Sequence, residues 1–106
     1  MKDGKYTVLI VEDQQMPKTL FSQFILNSDK FSLTAAIENA SIAESVCIRT
    51  PVDLVLMDVV TENGESGLTA AEKIKKRFPK TKIIIVTSMP ECSYIKRAKK
   101  IGVEGF

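Results

Sequence analysis

The sequence predicts an α/β fold: a parallel sheet covered by helices on both faces. Three observations predict it. Residues 8–11, 54–57 and 83–86 are unbroken apolar runs, the mark of strands buried on both faces. Segments with apolar residues at helical spacing alternate with the runs, giving the order βαβαβαβα. Each run also stops at side-chain oxygen: Glu12-Asp13, Asp58 and Thr87-Ser88. In open α/β sheets, ligands bind at the carboxyl ends of the strands.

In chain order, residues 1–5 are a polar lead-in and residues 6–11 the first strand. Pro17 suits the first turn of a helix, where its missing N–H costs nothing. Leu20, Phe21, Phe24 and Ile25 then recur at helical spacing, so residues 17–27 should form a helix with that apolar stripe inward. Residues 31–37 read as the second strand. Ser41 and Glu44 have the spacing of a capping box, opening a helix whose face is Ile42, Ala43, Val46 and Cys47. Pro51 ends it and introduces a third strand, residues 53–58.

Residues 59–66 read as a loop. A helix from Gly67 or Leu68 to Phe78 should face inward through Leu68, Ala71, Ile74 and Phe78. Residues 82–87 form the fourth strand. Pro90 opens a last helix with Tyr94, Ile95, Ala98 and Ile101 at apolar spacing, and Gly102 is its natural stop. Residues 103–106 look like a turn entering a fifth strand. Right-handed crossovers leave few topologies. The flavodoxin-like strand order 2-1-3-4-5 sets strands 1, 3 and 4 side by side, and these carry the oxygen-rich ends.

Composition narrows the function. A chain of 106 residues with 44% apolar content makes one domain with a real core. Nothing approaches the ~20 apolar residues of a membrane span, and the N-terminus lacks the shape of a signal peptide. A cytoplasmic protein without membrane contact is expected. There is no histidine, and the two cysteines, Cys47 and Cys92, lack metal-type spacing. Zinc sites, Ser-His-Asp triads and Cys-His pairs are thereby disfavoured. Cys47 on a helical stripe is a core residue. Charge is unevenly shared: residues 1–66 hold five Lys/Arg and ten Asp/Glu, residues 67–106 ten and three. The basic run reads first as solvated helix faces; a nucleic-acid patch is the sharper alternative.

Glu12, Asp13 and Asp58 should meet at one sheet edge. A like-charge pair at ~4 Å costs roughly 4 kcal/mol at an effective dielectric of 20, so either one acid holds a proton or a divalent cation sits among them. Oxygen-only donors favour Mg²⁺ or Mn²⁺. A carboxylate at a strand end beside such an ion can attack phosphorus and form an acyl phosphate, with the Thr87 hydroxyl near its oxygens. Two acids also serve sugar hydrolysis, but the chain has no long loops or aromatic platforms for a saccharide cleft.

These residues carry a resemblance. Val8-Leu9-Ile10-Val11-Glu12-Asp13, the run from Asp53 to Asp58, Ile84-Ile85-Val86-Thr87-Ser88 and Gly102-Val103-Glu104-Gly105-Phe106 resemble the receiver domain of two-component response regulators. The resemblance implies that Asp58 accepts a phosphoryl group from a sensor histidine kinase. It implies that Glu12, Asp13, Asp58 and the backbone carbonyl of Val60 hold Mg²⁺. It implies that Thr87 bonds the phosphoryl group, that Ser88 leaves room for it, and that Phe106 is the switch aromatic. Such a protein is a phosphoacceptor, not a multiple-turnover enzyme.

The chain departs from the family pattern in two places. The family usually has Pro four and Gly eight residues after the phosphoacceptor; here Glu62 and Gly67 stand four and nine after Asp58, so the loop reads as one residue longer. Val60 and Met89 flank the expected pocket mouth, where their apolar side chains would hinder attacking water. The family's lysine lies beyond the switch aromatic, whereas this sequence ends at Phe106; Lys82 lies at the wrong end of strand 4 to replace it. Residues 1–106 are therefore expected to be a receiver domain cut at the start of strand 5, without helix 5. An apolar patch should be left open, making the chain marginally stable, a homodimer or swapped oligomer, or a fragment. A DNA-binding output domain would lie beyond it, controlling transcription. The alternative is a receiver-like interaction module that does not respond to phosphate.

Overall fold

The aliphatic run at residues 8–11 becomes the centre of β1 (Tyr6–Val11), buried throughout except at Tyr6. The computed structural model describes residues 1–59, 67–86 and 92–105 of the chain. In it, β1 pairs in parallel with β2 (Phe31–Ile37) on one side and β3 (Leu54–Asp58) on the other, and β4 (Lys82–Val86) adds to β3. The resulting order is β2-β1-β3-β4. Residues 104–105 begin a further parallel pairing. The Glu104 N–H donates to the Ile83 carbonyl at 2.8 Å, the Ile85 N–H donates to the Gly105 carbonyl at 2.9 Å, and Gly105 stands opposite Ile84. The expected strand order is met as far as these residues run.

Among the described residues, helices α1 (Gln15–Leu26), α2 (Ala43–Arg49) and α3 (Gly67–Arg77) lie between successive strands, and α4 (Cys92–Ile101) follows β4. Alternation along each strand divides the sheet's side chains between two faces. Leu9, Val11, Val55, Met57, Ile83 and Ile85 join Ala43, Cys47, Leu68, Ala71, Ile74 and Ala98 in the main core beneath α2, α3 and α4. On the other face Val8 and Ile10 pack with Ile25 of α1, flanked by half-buried Phe21, Leu54 and Leu56. Each fully buried aliphatic side chain contributes roughly 1.5–3 kcal/mol of transfer free energy, so the α2–α4 face carries most of the hydrophobic stabilisation.

Local structure departs from the sequence reading at identifiable points. Helix α1 starts at Gln15 rather than Pro17; the proline still lies in the first turn, whose N–H groups have no partner within the helix. Its stripe is wider than its contact. Phe21 and Ile25 reach the sheet, while Leu20 and Phe24 are 58% and 72% exposed. The capping box does not form. Asn39 instead caps a 3-10 turn at Ala40–Ile42, its side chain accepting the Ser41 N–H at 2.9 Å, and Glu44 turns to Arg77 Nε at 3.1 Å. Ile42 stays exposed, and the inward face of α2 is Ala43, Val46 and Cys47. Asp53 precedes β3 rather than opening it, and α3 ends one residue before Phe78. Gly102 stops α4 with a φ of +89°, a conformation glycine adopts without cost. The expected start of that helix at Pro90 and the last residue of strand 4, Thr87, lie outside the described residues.

Candidate functional site

Strand register brings the acids together. Val11 of β1 stands opposite Met57 of β3 in a parallel pair, so the next residues in the two strands, Glu12 and Asp58, emerge side by side at the carboxyl edge. Asp13 follows at once. One carboxylate oxygen from each of Glu12, Asp13 and Asp58 lies within 4.8 Å of the others. Glu12 is buried, while Asp13 and Asp58 are half-buried. The expected convergence of the three acids is what the fold delivers.

Electrostatics mark Glu12 as the strained member. Its backbone N–H is held by the Ile37 carbonyl at 2.9 Å, which fixes the turn out of β1. Its Oε2 accepts the Gln14 N–H at 3.2 Å. Burial, joined by the neighbouring Asp58 and Asp13 charges, pushes the Glu12 carboxyl from 4.5 up to about 7, against the partial relief of the Gln14 hydrogen bond. A cation between the three carboxylates would remove this repulsion. All the donors are oxygen, without nitrogen or sulfur, which is the set that suits Mg²⁺. The residues fit the ion.

Gly67 is a site residue that the sequence marks as a candidate helix start and as a departure in loop length, without its contact to Asp58. A Cβ at Gly67 would lie 1.7 Å from the Asp58 carbonyl oxygen and 2.7 Å from its carbonyl carbon. Helix α3 therefore starts directly against the backbone of Asp58, and glycine alone permits that approach. The signal available in the sequence was a glycine at a helix start shortly after the key acid. Lys82 pairs with Leu54 at the amino end of β3, far along the strand from Asp58. On α1, Lys18 is engaged with Glu38 at 2.8 Å.

Thr87 would follow Val86, which stands opposite Asp58. Thr87, Ser88, Met89, Val60, Glu62 and Phe106 all lie outside the described residues. Cys47 is buried, as expected of a core residue, and burial pushes its thiol up to about 11. That is far from a reactive thiolate. Among the described residues, no helix is long and apolar enough to cross a membrane.

Comparison with known proteins agrees with this geometry. The family model described as response regulator receiver domain matches residues 8–106. Oxygen regulatory protein NreC from Staphylococcus haemolyticus is 28% identical over 99 residues, covering 93% of this chain and 46% of its own length. NreC from Staphylococcus aureus is 29% identical over the same length. The chain thus spans about half the length of the curated relatives it matches. Among solved structures, a DNA-binding response regulator of the LuxR family from Staphylococcus aureus superposes with a TM-score of 0.85 at 28% identity, covering 94% of this chain and 82% of that one. The response regulator domain of Thermotoga maritima CheB reaches 0.86 at 23% identity, covering 96% and 76%, and shows the same fold. The Glu12-Asp13-Asp58 cluster matches the Mg²⁺ site of receiver domains.

Proposed function

The chain belongs to the response regulator receiver family, and from that premise we propose that Asp58 is its phosphoacceptor and a sensor histidine kinase its donor. Receiver domains act in signal transduction as phosphoacceptors and not as multiple-turnover enzymes. The observation that carries the assignment is the meeting of three carboxylates within 4.8 Å at the end of two adjacent strands. A carboxylate Oδ of Asp58 attacks the donor phosphorus; the phosphorus–nitrogen bond of the phosphohistidine breaks, and the imidazole nitrogen leaves and takes up a proton. Glu12, Asp13 and Asp58 would hold Mg²⁺, with the Val60 carbonyl completing the set by family resemblance. Once bound, the ion neutralises the charge that builds on the phosphoryl oxygens.

By family resemblance Asp58 is the acceptor, and its position supports that reading over Glu12. Glu12 is buried and turned to the Gln14 N–H. Asp58 is half-buried at the strand terminus, with α3 beginning against its backbone. By the same resemblance Thr87 bonds the phosphoryl group and Ser88 makes room for it. Phe106 turns inward as the readout, while Val60, Glu62 and Met89 shape access of water. The resemblance to DNA-binding relatives supports transcription as the output, through a domain outside these residues.

Incubation with a small phosphodonor and Mg²⁺, followed by mass spectrometry, tests this. One phosphoryl group should appear and be absent from Asp58→Ala. Incorporation that survives that substitution would move the acceptor elsewhere. No incorporation in either protein would favour an interaction module that does not respond to phosphate.

A further inference from the structure

We propose that the outer face of α3 and α4 is a docking surface for the phosphate backbone of nucleic acid. The two helices bury one side each: Ala71 and Ile74 of α3 and Ala98 of α4 enter the main core, with Tyr94 packed against it. Helical spacing then sets Lys73 and Lys76 on the opposite side of α3, and Lys96 and Lys100 on the opposite side of α4. All four are exposed. Arg97 ties the two ridges into one surface, its Nη2 donating to Thr69 Oγ1 of α3 at 2.9 Å. Glu44 of α2 lines the same hollow as Lys73, Lys76 and Arg77 and pairs with Arg77 Nε at 3.1 Å, so it offsets part of this charge. Glu104 is committed to Lys75 at 2.8 Å on the inner side of α3, which leaves Glu72 as the acid of these two described helices.

The identity of the occupant follows from the charge that the described residues present. A specific protein–protein interface is organised around buried aromatic or aliphatic anchors. The large hydrophobic side chains exposed among the described residues stand on α1, at α2 and near the N-terminus, not on α3 or α4 themselves. Across the described residues of the two helices the exposed face offers cations rather than large apolar anchors. It complements a regular array of phosphates, which is bound through charge and counterion release with little regard to sequence. Such a surface on the receiver would add sequence-independent affinity for DNA, apart from the acid cluster at the sheet edge.

The test is fluorescence anisotropy of this chain with a short mixed-sequence DNA duplex across a salt series. Binding should weaken linearly in log salt. The exposed-site variant Lys76→Gln/Lys96→Gln/Lys100→Gln should bind several-fold more weakly, with the slope shallower by roughly 0.9 for each phosphate contact removed. A control variant, Lys2→Gln/Lys5→Gln/Lys30→Gln, alters exposed or edge lysines elsewhere and should bind as the parent does. Circular dichroism melts of both variants should match the parent. No binding at low salt, equal losses in the two variants, or tighter binding to an acidic polyglutamate peptide than to the duplex would each overturn the proposal, the last in favour of an acidic protein partner.

Discussion

Asp53 and Glu12 sit at opposite ends of the same sheet and are treated in opposite ways. At the amino edge, Asp53 Oδ2 accepts the Thr7 N–H at 2.8 Å and the Thr7 hydroxyl at 3.1 Å, and meets the N-terminal ammonium at 3.0 Å. Partial burial works against its charge, but these donors outweigh that and hold its carboxyl below the usual range. At the carboxyl edge, Glu12 has one backbone donor and two carboxylate neighbours, and its carboxyl is pushed up to about 7. The first edge is satisfied by the chain itself. The second is built so that something positive must complete it, and that contrast separates the structural end of the sheet from the functional one.

The harshest way to break the contrast is at Gly67. Gly67→Ala forces its Cβ into the Asp58 carbonyl, and relief requires α3 or the end of β3 to move. A loss of about 3 kcal/mol or more in urea unfolding is expected, along with weaker Mg²⁺ binding. Retained stability would mean that the close approach at Asp58 is not required.

The next largest effect concerns the metal. Mg²⁺ should raise the thermal midpoint of the parent, by about 2.7 kcal/mol of stability at a hundredfold excess over its dissociation constant. It should do nothing for Asp13→Asn or for Asp58→Asn. At the amino edge, Asp53→Asn should lower stability by about 1 kcal/mol, the scale of one hydrogen-bonded carboxylate, and leave the response to Mg²⁺ intact.

Acidity sharpens the comparison because the two edges have opposite signs. Glu12 has a folded value above its unfolded one, so the folded state binds the extra proton. Metal-free stability should therefore be fully helped below about pH 4.5 and decline as pH rises toward 7. Asp53 has a folded value below its unfolded one, so its contribution is present above the unfolded value and is lost as pH falls through the folded one. Glu12→Gln should flatten the slope between pH 5 and 7, an effect on the order of 2 kcal/mol. An unchanged slope would place the titrating group elsewhere.

Much of this was legible because buried parallel strands announce themselves. The runs at residues 8–11 and 54–57 needed no tertiary information, and the parallel register of β1 on β3 then joined Glu12 to Asp58. What the sequence could not convey depended on partners distant along the chain. Leu20 and Phe24 have core-like spacing, yet α1 covers its face of the sheet through Phe21 and Ile25. Ser41 and Glu44 had the pattern of a cap, but Asn39 and Arg77 offered better partners. Gly67 mattered for a backbone nine residues earlier. Glu104 was read as part of a turn, whereas it clamps the last segment to β4 through the Ile83 N–H at 2.7 Å and Lys75.

Calorimetric titration of Mg²⁺ into this chain at pH 7 tests most directly whether the carboxyl edge is one site. One ion should bind per chain, releasing a fraction of a proton as Glu12 ionises, and Asp13→Asn should abolish both the heat and the release. Absence of saturable binding, or binding that Asp13→Asn leaves intact, would contradict the account.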